Sequence, residues 1–337
     1  MNKKMSSLLI MVGIFAAGPL LLHAMPSALA KDPDYPTKPI TFNINYAPGA
    51  AVDVAMRPLL DAVGKELGQP LVPVNKPGGA GVVAALAVMN AKPDGYTLGS
   101  CSGGNTLVTP HLDDSPYKDL SGFTFICNYG KFLLPVMVRS DAPYKTWKEF
   151  IEWCKKNPKR AAKIGVLGSR TQSPSAMVMW EAEQKEGVEF SMLVFKGSAD
   201  SNTALLGGHI MMDAGGVSPQ AIQYIKEGKF RVLAWLGKEK MAGYENVPSF
   251  YQMYNVIVPS VMGVWGPKGV PKYVLDKLDD AFAKGVKDPS FVNIMSRMSM
   301  PVVYLNRTEM EKEVNEMYPI AGRILKILME KEAKEKK

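Results

Sequence analysis

The class this sequence predicts is α/β, with a mainly parallel sheet carrying helices on its faces. Three observations predict it. Beyond a leader-like N-terminus, the first hundred residues alternate strand, helix, strand, helix, strand, an order that builds parallel sheets through helical crossovers. Several strand candidates end in Gly- or Ser-rich turns that open directly into helices. About 300 residues remain after the leader, a length that favours two domains, and the hydrophobic fraction of 47% is ordinary for a globular chain.

The first strand–turn–helix is Ile40 to Asp53. Ile40, Phe42, Ile44 and Tyr46 alternate with Thr41, Asn43 and Asn45, the period of a strand. Pro48-Gly49 makes a turn, and Val54, Leu59, Leu60, Val63 and Leu67 recur at helical spacing. A second strand, Leu71 to Asn75, turns at Pro77-Gly78-Gly79 into a helix over Val82 to Ala91. Lys92-Pro93-Asp94-Gly95 is a turn before a third strand, Tyr96 to Ser102. Phe123 to Asn128 and Leu133 to Arg139 read as strands. Thr146 and Glu149 have the capping-box spacing at the head of a helix reaching Asn157.

In the middle of the chain, strands at Lys163 to Leu167, Met192 to Phe195, Ile210 to Met212 and Phe230 to Leu236 alternate with helices at Ser175 to Lys185, Ala199 to Leu206 and after Ser218-Pro219. Ser at N-cap followed by Pro at N1 is a helix start. Gly237 to Asn255 reads as irregular. Val261 to Trp265 is an apolar strand, a helix starts near Pro271, another covers Pro289 to Met298, and a long one is opened by Thr308 and Glu311 as a second capping box.

The N-terminus has the form of a secretory signal. Lys3 and Lys4 precede an apolar stretch from Leu8 to Leu22, and Ala28-Leu29-Ala30 supplies the small residues of a cleavage site. The stretch is short and broken by Gly13, Gly18 and Pro19, unlike a membrane span. Residues 1–30 are therefore expected to be removed on export. The formal charge of +8 suits an anionic ligand or surface. No dense basic patch interleaved with aromatics points to nucleic acid. Cys101, Cys127 and Cys154 leave at least one thiol unpaired; one disulfide or three small buried residues both fit.

Three turns share one design, a strand end, a Gly- or Ser/Thr-containing loop and a helix N-terminus: Ala47 to Asp53, Gly168 to Gln172, and Lys196 to Ser198. The first amides of a helix have no internal partner and its dipole favours negative charge, so such turns attract carboxylates. Open α/β sheets bind ligands at the carboxyl ends of their strands. Arg170 has the guanidinium for a two-pronged grip on a carboxylate. Asp53, an acid at an expected anion site, reads first as a residue that orders the turn through backbone amides, with acceptance from a ligand amine or bridging water as the other role.

Other chemistries fit less well. Gly99-Ser100-Cys101-Ser102-Gly103 has the G-x-C-x-G form of a nucleophile elbow. A hydrolase built on Cys101 needs a histidine, and beyond the leader only His111 and His209 are present. Gly79-Ala80-Gly81-Val82-Val83-Ala84 matches G-x-G-x-x-A, yet no acid falls between Leu98 and Leu112 to hold a ribose; packing glycines at a tight turn explain it better. Two histidines and scattered cysteines give no metal site, and no cofactor is expected.

Taken together, YPTKPI before the first strand, PGAAVD, LGQPLVPVNKPGGAG, AKPDGYTL, FKGSAD, LLGGHI, IKEGKFRVLA and WGPKGVP resemble, in the same order and nearly end to end, the solute-binding proteins of tripartite tricarboxylate transporters, the Bug family. The resemblance implies a type II periplasmic binding protein: two α/β lobes joined by two crossing strands, with a ligand cleft between them. Residues 31–134 and 259–337 would form one lobe and residues 135–258 the other, with Leu133 to Arg139 and Val261 to Trp265 as the crossovers.

It also implies a monomeric, non-enzymatic periplasmic carrier, without catalytic residues, that captures a small mono-, di- or aromatic carboxylate and hands it to membrane permease subunits. A secreted cysteine hydrolase using Cys101 and a periplasmic carboxylate sensor are the alternatives. The expected ligand contacts are Tyr46, Pro48, Gly49, Ala51 and Asp53 in the first turn, Ser102 and Asn105 after the third strand, Gly168, Ser169, Arg170, Thr171 and Gln172 from the other lobe, and Lys196 and Gly197. Three features depart from the family pattern. Ala50 stands for the second Gly of the turn, Arg170 and Gln172 enlarge a loop that is usually small, and Met211 stands where the family has an acid. Asp213, two residues on and on the same strand face, is the expected substitute.

Overall fold

The computed structural model describes residues 34–158, 162–167, 173–216, 218–256 and 260–335 of the 337-residue chain. The proposed leader, residues 1–30, lies outside them. In chain order the strands and helices are β1 Ile40–Ile44, α1 Ala51–Leu67, β2 Leu71–Asn75, α2 Val82–Met89, β3 Thr97–Ser102, β4 Phe123–Gly130, β5 Pro135–Arg139, α3 Trp147–Lys156, β6 Ala162–Leu167, α4 Pro174–Glu186, β7 Phe190–Phe195, α5 Ser198–Leu206, β8 Met212–Asp213, α6 Pro219–Lys226, β9 Phe230–Trp235, α7 Phe250–Tyr254, β10 Met262–Pro267, α8 Lys272–Gly285, α9 Pro289–Arg297 and α10 Arg307–Glu335.

They form two five-stranded sheets, one in the order β2-β1-β3-β10-β4 and the other β7-β6-β8-β5-β9. The chain passes between the sheets twice, from β4 to β5 and from β9 back to β10. The two passages touch: the Phe132 amide donates to Ser260 Oγ at 2.7 Å. Each sheet has three parallel strands, β2-β1-β3 and β6 flanked by β7 and β8, then an antiparallel strand inserted beside an outer one. The mainly parallel expectation holds, with four of the five strands in each sheet running one way and a single antiparallel strand, β10 or β5, added. A strand that arrives from the other sheet, as β10 does, enters without a helical crossover and is free to run antiparallel.

The first sheet is packed on both faces. Ile40, Phe42 and Ile44 meet Leu59 and Val63 of α1 and Leu278 and Phe282 of α8 on one face. Cys101, Leu107 and Trp265 meet Met310 and Val314 of α10 on the other. Burial on both faces explains why the polar positions of β1 are not all exposed: Asn43, which alternates with the apolar residues, is 1% exposed. Gly263 on β10 lets α10 approach, because a Cβ there would collide with Met310 and come within 2.7 Å of Cys101 Sγ.

Helix ends follow local chemistry. Thr146 Oγ1 accepts the Glu149 amide at 3.2 Å, while Glu149 Oε2 accepts from Lys145 rather than completing the box. The stretch read as irregular contains α7, opened by a Ser249/Gln252 capping box. The Thr308/Glu311 box is not the one used. Helix α10 begins at Arg307, and Asn306 and Glu309 cap each other at 2.9 and 3.0 Å. Both sites share the i, i+3 spacing, and the structure uses the earlier one. Lys131, 2% exposed, follows β4 and pairs with Glu313 of α10. Arg323 of α10 reaches Glu181 of α4 at 3.4 Å.

Candidate ligand site

The carboxyl ends of β1 and β3 lie side by side, with Asn43 opposite Gly99. Past Ile44 the chain bends through residues 45–50 into α1. The first main-chain helical bond there runs from the Val54 amide to Ala50 O at 2.9 Å. The amides of Ala51, Val52 and Asp53 precede it, and Ala50 caps the helix without a side-chain bond. This end therefore presents backbone donors.

Asp53 fixes the turn. Its Oδ2 accepts the Gly49 amide at 2.9 Å, and its Oδ1 accepts Arg57 Nη2 at 2.9 Å and Asn75 Nδ2 at 2.8 Å. Asn75 Nδ2 also donates to Tyr46 O at 3.0 Å, tying both ends of the turn to the end of β2. Burial pushes the Asp53 carboxyl up, but Arg57, Asn75 and the Gly49 amide outweigh it and hold it below the usual carboxylate range. Pro48 and Gly49 are exposed, and Gly49 has φ +81°, a left-handed conformation glycine takes without strain.

Beside this turn is a buried network of neutral groups. Ser100 Oγ accepts the Asn45 amide at 3.0 Å and donates to Asn45 Oδ1 at 2.6 Å. Asn45 Nδ2 donates to Ser102 Oγ at 3.1 Å. The Ser102 amide donates to Asn105 Oδ1 at 2.7 Å, and the Asn105 carbonyl accepts Tyr117 OH at 2.7 Å. Burial pushes the Tyr46 phenol up, with a hydrogen bond to Ser102 working the other way. Asn105 Nδ2 is buried without a hydrogen-bond partner.

Of the expected contacts, the structure brings together Tyr46, Pro48, Gly49, Ala51 and Asp53 with Ser102 and Asn105. The Gly168, Ser169, Arg170, Thr171 and Gln172 loop lies outside the described residues. In the second sheet, Lys196 is exposed and Gly197 is the extended N-cap of α5 without a side-chain bond. Asp213 is fully buried. Its carboxylate accepts Ser201 Oγ at 2.9 Å, Asn202 Nδ2, and the Gly215 amide at 2.7 Å. These bonds join β8 to α5 and to the turn before α6, and burial pushes the acid up to about 6.

Asn45, Ser100 and Gly81 were missed as site residues. Asn45 read as part of the alternation of the first strand, Ser100 as part of the G-x-C-x-G motif, and Gly81 as a packing glycine. The signal that marks them is the density of Asn and Ser in strands that proved buried on both faces. Cys101 sits within β3 rather than on an elbow, and burial pushes its thiol up. The His111 ring faces Tyr318 O at 3.1 Å. All three cysteines are free and buried. Among the described residues no group of acids, histidines and cysteines could hold a metal ion, and no helix is long and apolar enough to cross a membrane.

The family described as the tripartite tricarboxylate transporter family receptor matches residues 55–329. A protein of Cupriavidus necator, named for its place in the gbd 5' region, is 35% identical over 298 residues, 87% of this chain and 88% of its own length. Protein BugT of Bordetella pertussis is 29% identical, over 80% of this chain and 82% of its own. The crystal structure of a TctC solute-binding protein from Polaromonas superposes with a TM-score of 0.77 at 26% identity, covering 87% of this chain and 99% of that one.

Proposed function

Because this chain belongs to the tripartite tricarboxylate transporter receptor family, we propose that it is a periplasmic carrier of a small organic acid. It holds the acid between two lobes, residues 31–134 with 259–337 and residues 135–258, and delivers it to permease subunits in the membrane. The observation that carries this reading is the turn between β1 and α1. Its backbone donors are held by Asp53 at the carboxyl end of a parallel strand, next to the hydroxyls and carboxamides that follow β3. Such donors match a carboxylate with little need to rearrange. The two chain passages that meet at Phe132 and Ser260 supply the place for a hinge.

Arg170 and its neighbours would complete the grip from the second lobe, and the leader would direct export. A thermal-shift screen of the mature protein against mono-, di- and tricarboxylates, aromatic acids and acidic amino acids tests the proposal. A ligand that binds the native state raises the melting temperature by mass action, so at least one acid is expected to raise it in a concentration-dependent way. No shift with any acid, supported by flat calorimetry, would overturn it.

A further inference from the structure

Resting on that reading, we propose that the Asn45 and Asn105 carboxamides form a subsite for an uncharged acceptor oxygen, a hydroxyl or keto group, carried by the ligand beside its anchoring carboxylate. Asn105 is wholly buried, yet its Nδ2 has no hydrogen-bond partner. Its orientation is fixed by its other atom, because Oδ1 accepts the Ser102 amide at 2.7 Å and an amide donor must face an oxygen. Asn45 is fixed the same way. Ser100 Oγ takes the Asn45 main-chain N–H and so turns its own proton to Asn45 Oδ1. Asn45 Nδ2 then spends one proton on Ser102 Oγ and keeps the second.

The two nitrogens converge. Each lies 2.9 Å from the point where a Cβ on Gly81 would stand, so they are at most twice that distance apart. Gly81 is what permits this, since any side chain would push both carboxamides away. It ends a run of four residues, Gly78, Gly79, Ala80 and Gly81, all at positive φ. An oxygen between the two nitrogens needs this loop to move outward, a freedom its three glycines provide. The pair is adjacent to Tyr46 and the first turn, so a ligand anchored there by its carboxylate carries its neighbouring atoms toward it.

The donors are neutral, which sets the chemistry. A second carboxylate would want a cation or several N–H groups, whereas two carboxamide donors suit a single uncharged oxygen. A ligand without that oxygen leaves the Asn105 donor unsatisfied, which is a strong basis for discrimination.

The test is calorimetric, on the mature protein, with matched acids that differ at one position: succinate, malate and oxaloacetate; glutarate, 2-hydroxyglutarate and 2-oxoglutarate; propionate, lactate and pyruvate. Within at least one set that binds, the hydroxy or keto acid is expected to bind about tenfold or more tightly than its methylene counterpart. Asn105→Asp keeps the Oδ1 acceptor for Ser102 and replaces the free donor with oxygen. Asn105→Ala removes both. In each variant the preference is expected to fall to about one, a ratio in which any general loss of acid binding cancels. Circular dichroism checks that each variant folds; if either does not, Asn45→Asp serves as the replacement. Equal affinity within every set for the wild type, or a preference that survives in the folded variants, overturns the subsite while leaving the carboxylate carrier standing. Absence of binding by every acid, here and in the thermal screen, overturns both.

Discussion

Asn75 Nδ2 lies 2.8 Å from Asp53 Oδ1, so the last residue of β2 holds the first turn of α1 in place. The bond makes a turn of small residues stiff. It also explains how an acid persists where an anion is expected to bind: its oxygens are already taken by Gly49, Arg57 and Asn75.

Replacing Asp53 with Ala leaves the Gly49 amide and the Asn75 carboxamide without their acceptor. A loss of about 2–3 kcal/mol in unfolding free energy is expected from urea titration, together with weaker binding of any acid found in the thermal screen. Because the folded carboxyl is held below its ordinary value, its contribution is fully present above the unfolded pKa and is lost as pH falls through the folded one. Wild type and Asp53→Asn are therefore expected to converge in stability in strong acid. A constant gap from pH 7 down to pH 2 would contradict this.

Asp213 has the opposite sign. Burial raises it to about 6, so the folded state holds a proton that the unfolded state releases near pH 4. Between about pH 4 and pH 6 this group lowers stability as pH rises, by an amount on the order of a few kcal/mol. The difference in melting temperature between wild type and Asp213→Asn, followed from pH 4 to pH 8, is expected to swing in favour of the variant and level off above pH 6. A flat difference would mean that Asp213 titrates normally.

The Lys131–Glu313 pair ties the start of the first chain passage to α10. Glu313→Ala leaves a buried ammonium unpaired and is expected to cost roughly 2 kcal/mol, less than for a fully buried pair because Glu313 is 27% exposed. Adding Lys131→Met should recover most of the loss in equilibrium unfolding. Additive losses in the double variant would show that the two side chains do not interact.

The thiols give the plainest chemical check. With Cys101 and Cys127 at 2% and 0% exposure, a disulfide exchange reagent is expected to leave both unmodified in the native protein and to titrate three thiols after unfolding. Rapid native labelling of Cys101 would revive a nucleophilic role for it.

Much of this was legible in the sequence because it depends on neighbours along the chain. The strand–turn–helix at Ile40 to Asp53 and the Ser218-Pro219 helix start follow from local periodicity and capping chemistry. The joint order of the short motifs pointed to the family. Three-residue spacing alone, however, could not tell the Asn306/Glu309 cap from the Thr308/Glu311 alternative, since both satisfy it equally.

The sequence by itself determined an α/β protein and the strand–turn–helix at Ile40 to Asp53, because helix N-termini and Gly-containing turns are properties of consecutive residues. Only the tertiary structure decided that β10 returns antiparallel between β3 and β4, that Asp53 is spent on Arg57 and Asn75, and that Asn45 and Asn105 meet over Gly81. Those facts join residues up to 166 positions apart, Trp265 pairing with Gly99. Pairing over such separations is set by burial and packing of the whole chain, which no local pattern contains.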